Sequence, residues 1–101
     1  MSVLDGHWDV YRTGGLLPPL VGVHKTIAGD RGETRVGPFP GLPFRVEGHA
    51  LHYLAPFRGF VDELEPDGDG FGGRALFLGR EYGRFRLRRA GDGKAAEGVR
   101  D

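Results

Sequence analysis

The stretch whose reading decides the fold is Phe71-Gly72-Gly73-Arg74-Ala75-Leu76-Phe77-Leu78-Gly79-Arg80-Glu81-Tyr82-Gly83-Arg84-Phe85-Arg86-Leu87-Arg88-Arg89. From Tyr82 onward it alternates. Gly83, Phe85 and Leu87 fall on one side; Arg84, Arg86 and Arg88 fall on the other. Side chains of a strand point to opposite faces with a period of two, so this is a strand with one dry and one cationic face. Upstream lies the opposite charge, in Asp62-Glu63-Leu64-Glu65-Pro66-Asp67-Gly68-Asp69-Gly70. Asp67-Gly68 and Asp69-Gly70 are hairpin-turn dipeptides, so the acidic and cationic segments belong to one antiparallel set.

Working back from this hairpin, similar segments recur. Gly6–Thr13 is a first strand, with Trp8 and Val10 on one face and His7, Asp9 and Tyr11 on the other. Val21–Ile27 is a second, in which Lys25 interrupts an apolar row of Val21, Val23 and Ile27. Glu33–Val36, Phe44–Glu47, Ala50–Ala55 and Arg58–Glu65 follow, then Phe71–Leu78 and Arg80–Arg89. A helix over 50–65 would have to hold Pro56 and Gly59 in its interior, at roughly 3 and 1 kcal/mol against Ala. Leu16-Leu17-Pro18-Pro19-Leu20 and Pro38-Phe39-Pro40-Gly41-Leu42-Pro43 are stiff, apolar connections. Loops are normally polar, so these two are expected to fold over an opening.

Eight short strands at even spacing point to an all-β fold. Closure into a barrel removes the edges that a sandwich would have to protect. The expectation is one domain, a small antiparallel meander β-barrel over residues 1–89, with a disordered polar tail over 90–101. Nineteen Gly and seven Pro would suit a disordered chain, but the aromatics, at 11%, do not. The glycines read as turns and bends.

With 14 basic and 14 acidic residues the net charge is zero, which removes any global electrostatic case for nucleic acid or an anionic membrane. No Cys is present, so disulfides and thiolate metal sites are excluded. That suits a reducing cytosol, and a cytoplasmic location is the expectation. No apolar run is long enough for a transmembrane helix, and Met1–Gly6 is too short and polar for a signal peptide.

At Gly6-His7-Trp8 the chain resembles the start of lipocalin-like calycins, meander barrels whose first strand opens with Gly-x-Trp. In that family an arginine of the last strand covers the tryptophan at the closed end. The resemblance implies a closure built from Trp8 with Arg84, Arg86 or Arg88, and a lumen that binds a small apolar or amphipathic molecule. A guanidinium over an indole is itself a favourable cation–π pair.

The candidate lumen or core residues are Trp8, Tyr11, Phe44, Tyr53, Phe60 and Phe77. Arg12, Arg45 and Arg58 are candidates to hold a ligand carboxylate. His7, His24, His49 and His52 are the only candidate metal or haem ligands. A haem would need His24 or His52 facing inward; the plainer reading is exposed or hydrogen-bonded histidines, and no cofactor or metal is predicted. Glu65, Asp67, Asp69 and Gly70 imitate a calcium loop, but Leu76 stands where its bidentate glutamate belongs. Ser2 is the only serine, near the start of the chain, and no catalytic motif stands out. The function expected is non-catalytic binding in the lumen. The alternatives are a homodimeric interaction module, or a weak single-stranded nucleic-acid binder using the arginine row and its aromatics.

Overall fold

The alternation is realised as eight strands: β1 (Gly6–Gly15), β2 (Val23–Ala28), β3 (Arg31–Val36), β4 (Leu42–Glu47), β5 (Ala50–Tyr53), β6 (Phe60–Asp67), β7 (Gly70–Phe77) and β8 (Arg80–Arg89). The computed structural model describes residues 3–17, 20 and 22–90. Each strand pairs antiparallel with the next, and β1 pairs with β8, so the sheet closes into a meander barrel. The strands lie where the alternation placed them, with ends shifted by a few residues. No helix spans 50–65, and among the described residues no helix is long and apolar enough to cross a membrane. The expected tail falls outside the described residues except for Ala90, which is buried.

A meander sends its connections alternately to the two ends. The closed end holds the tight turns Gly29-Asp30, Gly48-His49 and Gly68-Asp69. Each begins on a glycine at φ of 61–65°, the left-handed region that two-residue hairpins need and a side chain disfavours. The other end holds the longer loops 16–22, 37–41 and 54–59 with the Leu78-Gly79 turn.

At the closed end Trp8 is fully buried, and its Nε1 donates to the Leu4 carbonyl at 2.8 Å. Its ring meets Phe71 edge-on at 5.5 Å. The arginine that covers it is Arg89, 4.2 Å from the ring centroid, rather than Arg84, Arg86 or Arg88. The reason is parity. Arg89 continues the inward set of Phe85 and Leu87 and is the register partner of Trp8 across the β1–β8 seam. The even-numbered arginines face out: Arg84 bonds Glu81, and Arg86 bonds Asp67 at 2.5 Å, so acids offset part of the cationic row. Arg89 also donates to the Asp5 and Val3 carbonyls at 2.9 and 3.0 Å, which ties the N-terminal segment across the barrel floor.

Above the floor the interior is packed by Val10, Ile27, Phe44, Leu51, Leu64, Phe71, Phe85 and Leu87. Not every glycine is a turn. A Cβ on Gly32 would lie 2.6 Å from the Phe44 ring, and one on Gly73 would lie 2.3 Å from the Phe85 ring. The two rings therefore lie against bare backbone on neighbouring strands. This is how a narrow barrel accommodates large aromatics without splaying its strands.

Candidate functional site

Halfway up the barrel the apolar interior is interrupted. Lys25 on β2 follows the inward parity of Val23 and Ile27, so its ammonium enters the lumen and is 3% exposed. Asp62 on β6 is inward by the same rule, between Phe60 and Leu64. Thr34 of β3 and Tyr53 of β5 complete a quartet. Lys25 Nζ donates to Asp62 Oδ2 at 2.8 Å, to the Tyr53 hydroxyl at 2.7 Å and to Thr34 Oγ1 at 2.7 Å. Tyr53 OH donates in turn to Asp62 Oδ2 at 2.9 Å, and the Thr34 and Tyr53 hydroxyls are 2.6 Å apart. Rings of Tyr53, Phe85 and Phe44 stand 5.4–5.6 Å from the ammonium and add cation–π attraction.

A charge taken out of water is tolerable only when paired and fully bonded. Burial alone drives the Lys25 ammonium toward neutrality; the Asp62 carboxylate and then Tyr53 override it and hold the lysine charged, with its pKa above the ordinary value. Burial, reinforced by Asp62, pushes the Tyr53 phenol up against the opposing pull of Lys25.

On the mouth side of the quartet lies a cavity of about 320 Å³. Its walls are almost wholly apolar. Leu17, Leu20, Val36, Leu42, Phe57 and Phe60 come from the long loops and the strand ends beside them. Leu17 leans so closely over Gly83 that a Cβ there would meet its Cγ at 2.4 Å, so Leu17 and Leu20 of the first apolar connection lie against the cavity. Of that connection, Pro18 and Pro19 lie outside the described residues. Tyr82 also lines the cavity. Strict alternation would have sent it outward with Arg84. A register shift between β7 and β8 pairs Leu76 with Glu81 and Ala75 with Gly83, leaving Tyr82 as the extra residue, and a bulge of this kind re-aims a side chain. The rim above is exposed and apolar, with Leu16, Phe39 and Leu78 exposed by 86, 65 and 73%.

The sequence candidates are distributed around this site as follows. Tyr53 and Phe60 line the cavity, Phe44 packs beneath it, and Trp8 lies at the closed end. Tyr11 is on the outer face, where its parity with Asp9 puts it. Phe77, the last residue of β7, stacks on Phe60 at 4.5 Å between centroids and stands half-exposed at the rim. None of the three arginines enters the lumen. Arg12 donates to the Gly15 carbonyl, Arg45 bonds Glu47, and Arg58 is exposed on the loop outside. His24 and His52 both point outward, each one position from an inward residue: His24 bonds Asp9 at 2.7 Å and His52 lies 3.5 Å from Glu47. Neither can be an axial ligand inside the barrel. Among the described residues no three His, Asp or Glu converge as a metal site would require.

Sequence reasoning missed Lys25, Thr34, Asp62 and Tyr82. Lys25 was signalled by its place in an apolar row. Asp62 was masked by the acids that follow it, although its parity with Phe60 and Leu64 marks it as inward. Comparison with protein-family models, with curated proteins and with solved structures finds no match to this chain.

Proposed function

We propose that the barrel binds a small hydrophobic or amphipathic molecule in its lumen, without covalent chemistry. The observation that carries this reading is the cavity itself. It is apolar on its walls, it opens at one end, and its polar groups converge at one depth. Ligand sites typically have this form, with volumes from about 300 Å³ upward. At ~30 Å³ apiece, the liquid share of one water, about 320 Å³ holds on the order of ten non-hydrogen atoms, so the ligand is small. A lipocalin-like relationship fits the meander, the Gly6-x-Trp8 opening and the arginine laid on that tryptophan, and the lack of cysteine suits a cytoplasmic carrier.

Native mass spectrometry of the freshly purified protein, with titration of a neutral apolar fluorophore, tests the reading. Uptake that is abolished by Ala75→Phe, which fills the cavity from β7, supports it. A protein that is empty and takes up no apolar probe sinks it.

The exposed rim favours a second reading, in which two copies meet mouth to mouth through Leu16, Phe39 and Leu78. Sedimentation of the protein beside a Leu16→Ser/Leu78→Ser variant separates the two. A dimer lost in the variant supports the interaction module.

A further inference from the structure

We infer that the lumen selects an uncharged amphiphile headed by a hydrogen-bond donor, an alcohol in the simplest case, whose hydroxyl docks on Asp62 Oδ1. The inference rests on the carrier reading above and names the chemistry of its ligand. It follows from counting the valences left open in the quartet.

An ammonium has three N–H donors. Those of Lys25 are all taken, by Thr34, Tyr53 and Asp62. The Tyr53 proton goes to Asp62, and the Thr34 proton goes to the Tyr53 oxygen 2.6 Å away. Both bonds that Asp62 accepts arrive at Oδ2, and Oδ1 has no partner among the described residues. The Asp62 side chain is 9% exposed, and no side-chain oxygen sealed from solvent lacks a partner. The small accessible part of Asp62 faces the cavity it lines. The open polar valence of the quartet is therefore an acceptor.

That arrangement discriminates among head groups. A carboxylate finds no free donor in the quartet, only the Tyr82 hydroxyl on the cavity wall, and meets the unshielded oxygen of a like charge. The arginines that would have welcomed it, Arg12, Arg45 and Arg58, are outside the lumen. An alkylammonium gains Asp62 but is desolvated beside a second fixed ammonium. An ether is neutral but leaves Oδ1 stripped of water and unbonded, which is the outcome buried polar groups penalise most. A hydroxyl satisfies Oδ1, adds no charge to a lumen whose Lys25 and Asp62 already cancel, and leaves its chain among the Leu17, Leu20 and Phe60 side chains above.

Four probes of similar length test this by isothermal titration: 1-octanol, octanoate, octylammonium and methyl heptyl ether, which is the isomer of octanol without the donor. The expected result is octanol binding at least tenfold tighter than the ether and the octanoate, and tighter than the amine. Octanoate or octylammonium binding best, or the ether equalling octanol, would overturn the inference and leave the carrier reading standing. Failure of all four to bind would remove both. In a Lys25→Met/Asp62→Leu variant the octanol preference over the ether should fall to within about twofold, while the ether still binds. A preference that survives in the folded variant overturns the assignment to Asp62. Should that variant not fold, the four-probe comparison on the unmodified protein decides alone.

Discussion

The two ends of this barrel are made by the same eight strands and have opposite character. At the closed end the connections are two-residue turns, the floor is crossed by Val3–Asp5, and Trp8 is fully buried between Phe71 and Arg89. At the open end three of the four connections are long, and leucines and phenylalanines stand in solvent. Between them the Lys25–Asp62 quartet marks the level at which packing stops and open space begins. The difference teaches that stability and function are segregated along the barrel axis. Substitutions below the quartet should be felt in unfolding, and substitutions above it in binding.

The sharpest test of that division is Trp8→Ala. It removes a fully buried indole, its bond to Leu4 and the surface on which Arg89 lies. A loss of about 3–5 kcal/mol is expected in urea unfolding. A loss below about 1 kcal/mol would break the comparison at its firmest point. Lys25→Met should come close behind, at about 3–5 kcal/mol, because it strands a buried carboxylate. The double Lys25→Met/Asp62→Leu replacement should recover most of that loss, since a buried pair exchanged for apolar side chains is often neutral.

The quartet also fixes the response to alkali. Lys25 and Tyr53 both have folded pKa values above their unfolded ones, so each binds its proton more tightly in the native state. Their contribution is therefore fully present below about pH 10, where the unfolded groups begin to titrate, and declines as pH rises beyond that. Stability measured from pH 7 to 11.5 should hold and then fall, and the fall should be shallower in the double variant.

Gly73→Ala should cost about 1–3 kcal/mol, because the new methyl group has to displace the Phe85 ring. Arg89→Ala is expected to lose about 1 kcal/mol with the stack on Trp8, while Arg88→Ala stays within about 0.5 kcal/mol. Equal effects of the two arginines would undo the parity argument. The smallest change is expected at the mouth, where Leu16→Ser should leave unfolding within about 0.5 kcal/mol.

How far the sequence could be read depends on whether a signal is local. The eight strands were legible because alternation is written over four to eight consecutive residues. So was the closure of the last strand on the first, although the arginine was misassigned. In a run that ends Arg88-Arg89, one residue of parity separates a solvent-facing guanidinium from one laid on tryptophan. The site was much less legible. Asp62 reads as a surface acid until it is known to meet Lys25, and the two are 37 residues apart in the chain. Tyr82 was hidden by a bulge, which shifts parity without any mark in the residue itself. The histidines and arginines were offered to the lumen on chemical grounds alone. His24, His52 and Arg45 fail on the strand face they occupy, whereas Arg12 turns to the Gly15 carbonyl beside a register shift and Arg58 stands on an exposed loop.

The even strand count has a practical corollary. A meander of eight strands returns the chain to the end from which it set out, so Gly6 and Arg89 both lie at the floor, and Arg89 reaches the carbonyl of Val3 at 3.0 Å. A tether joined directly at Val3 or Ala90 therefore starts from the sealed side, away from the mouth. The same proximity makes the described barrel a candidate for circular permutation, with Val3 and Ala90 joined by a short linker and new termini opened at Gly68-Asp69.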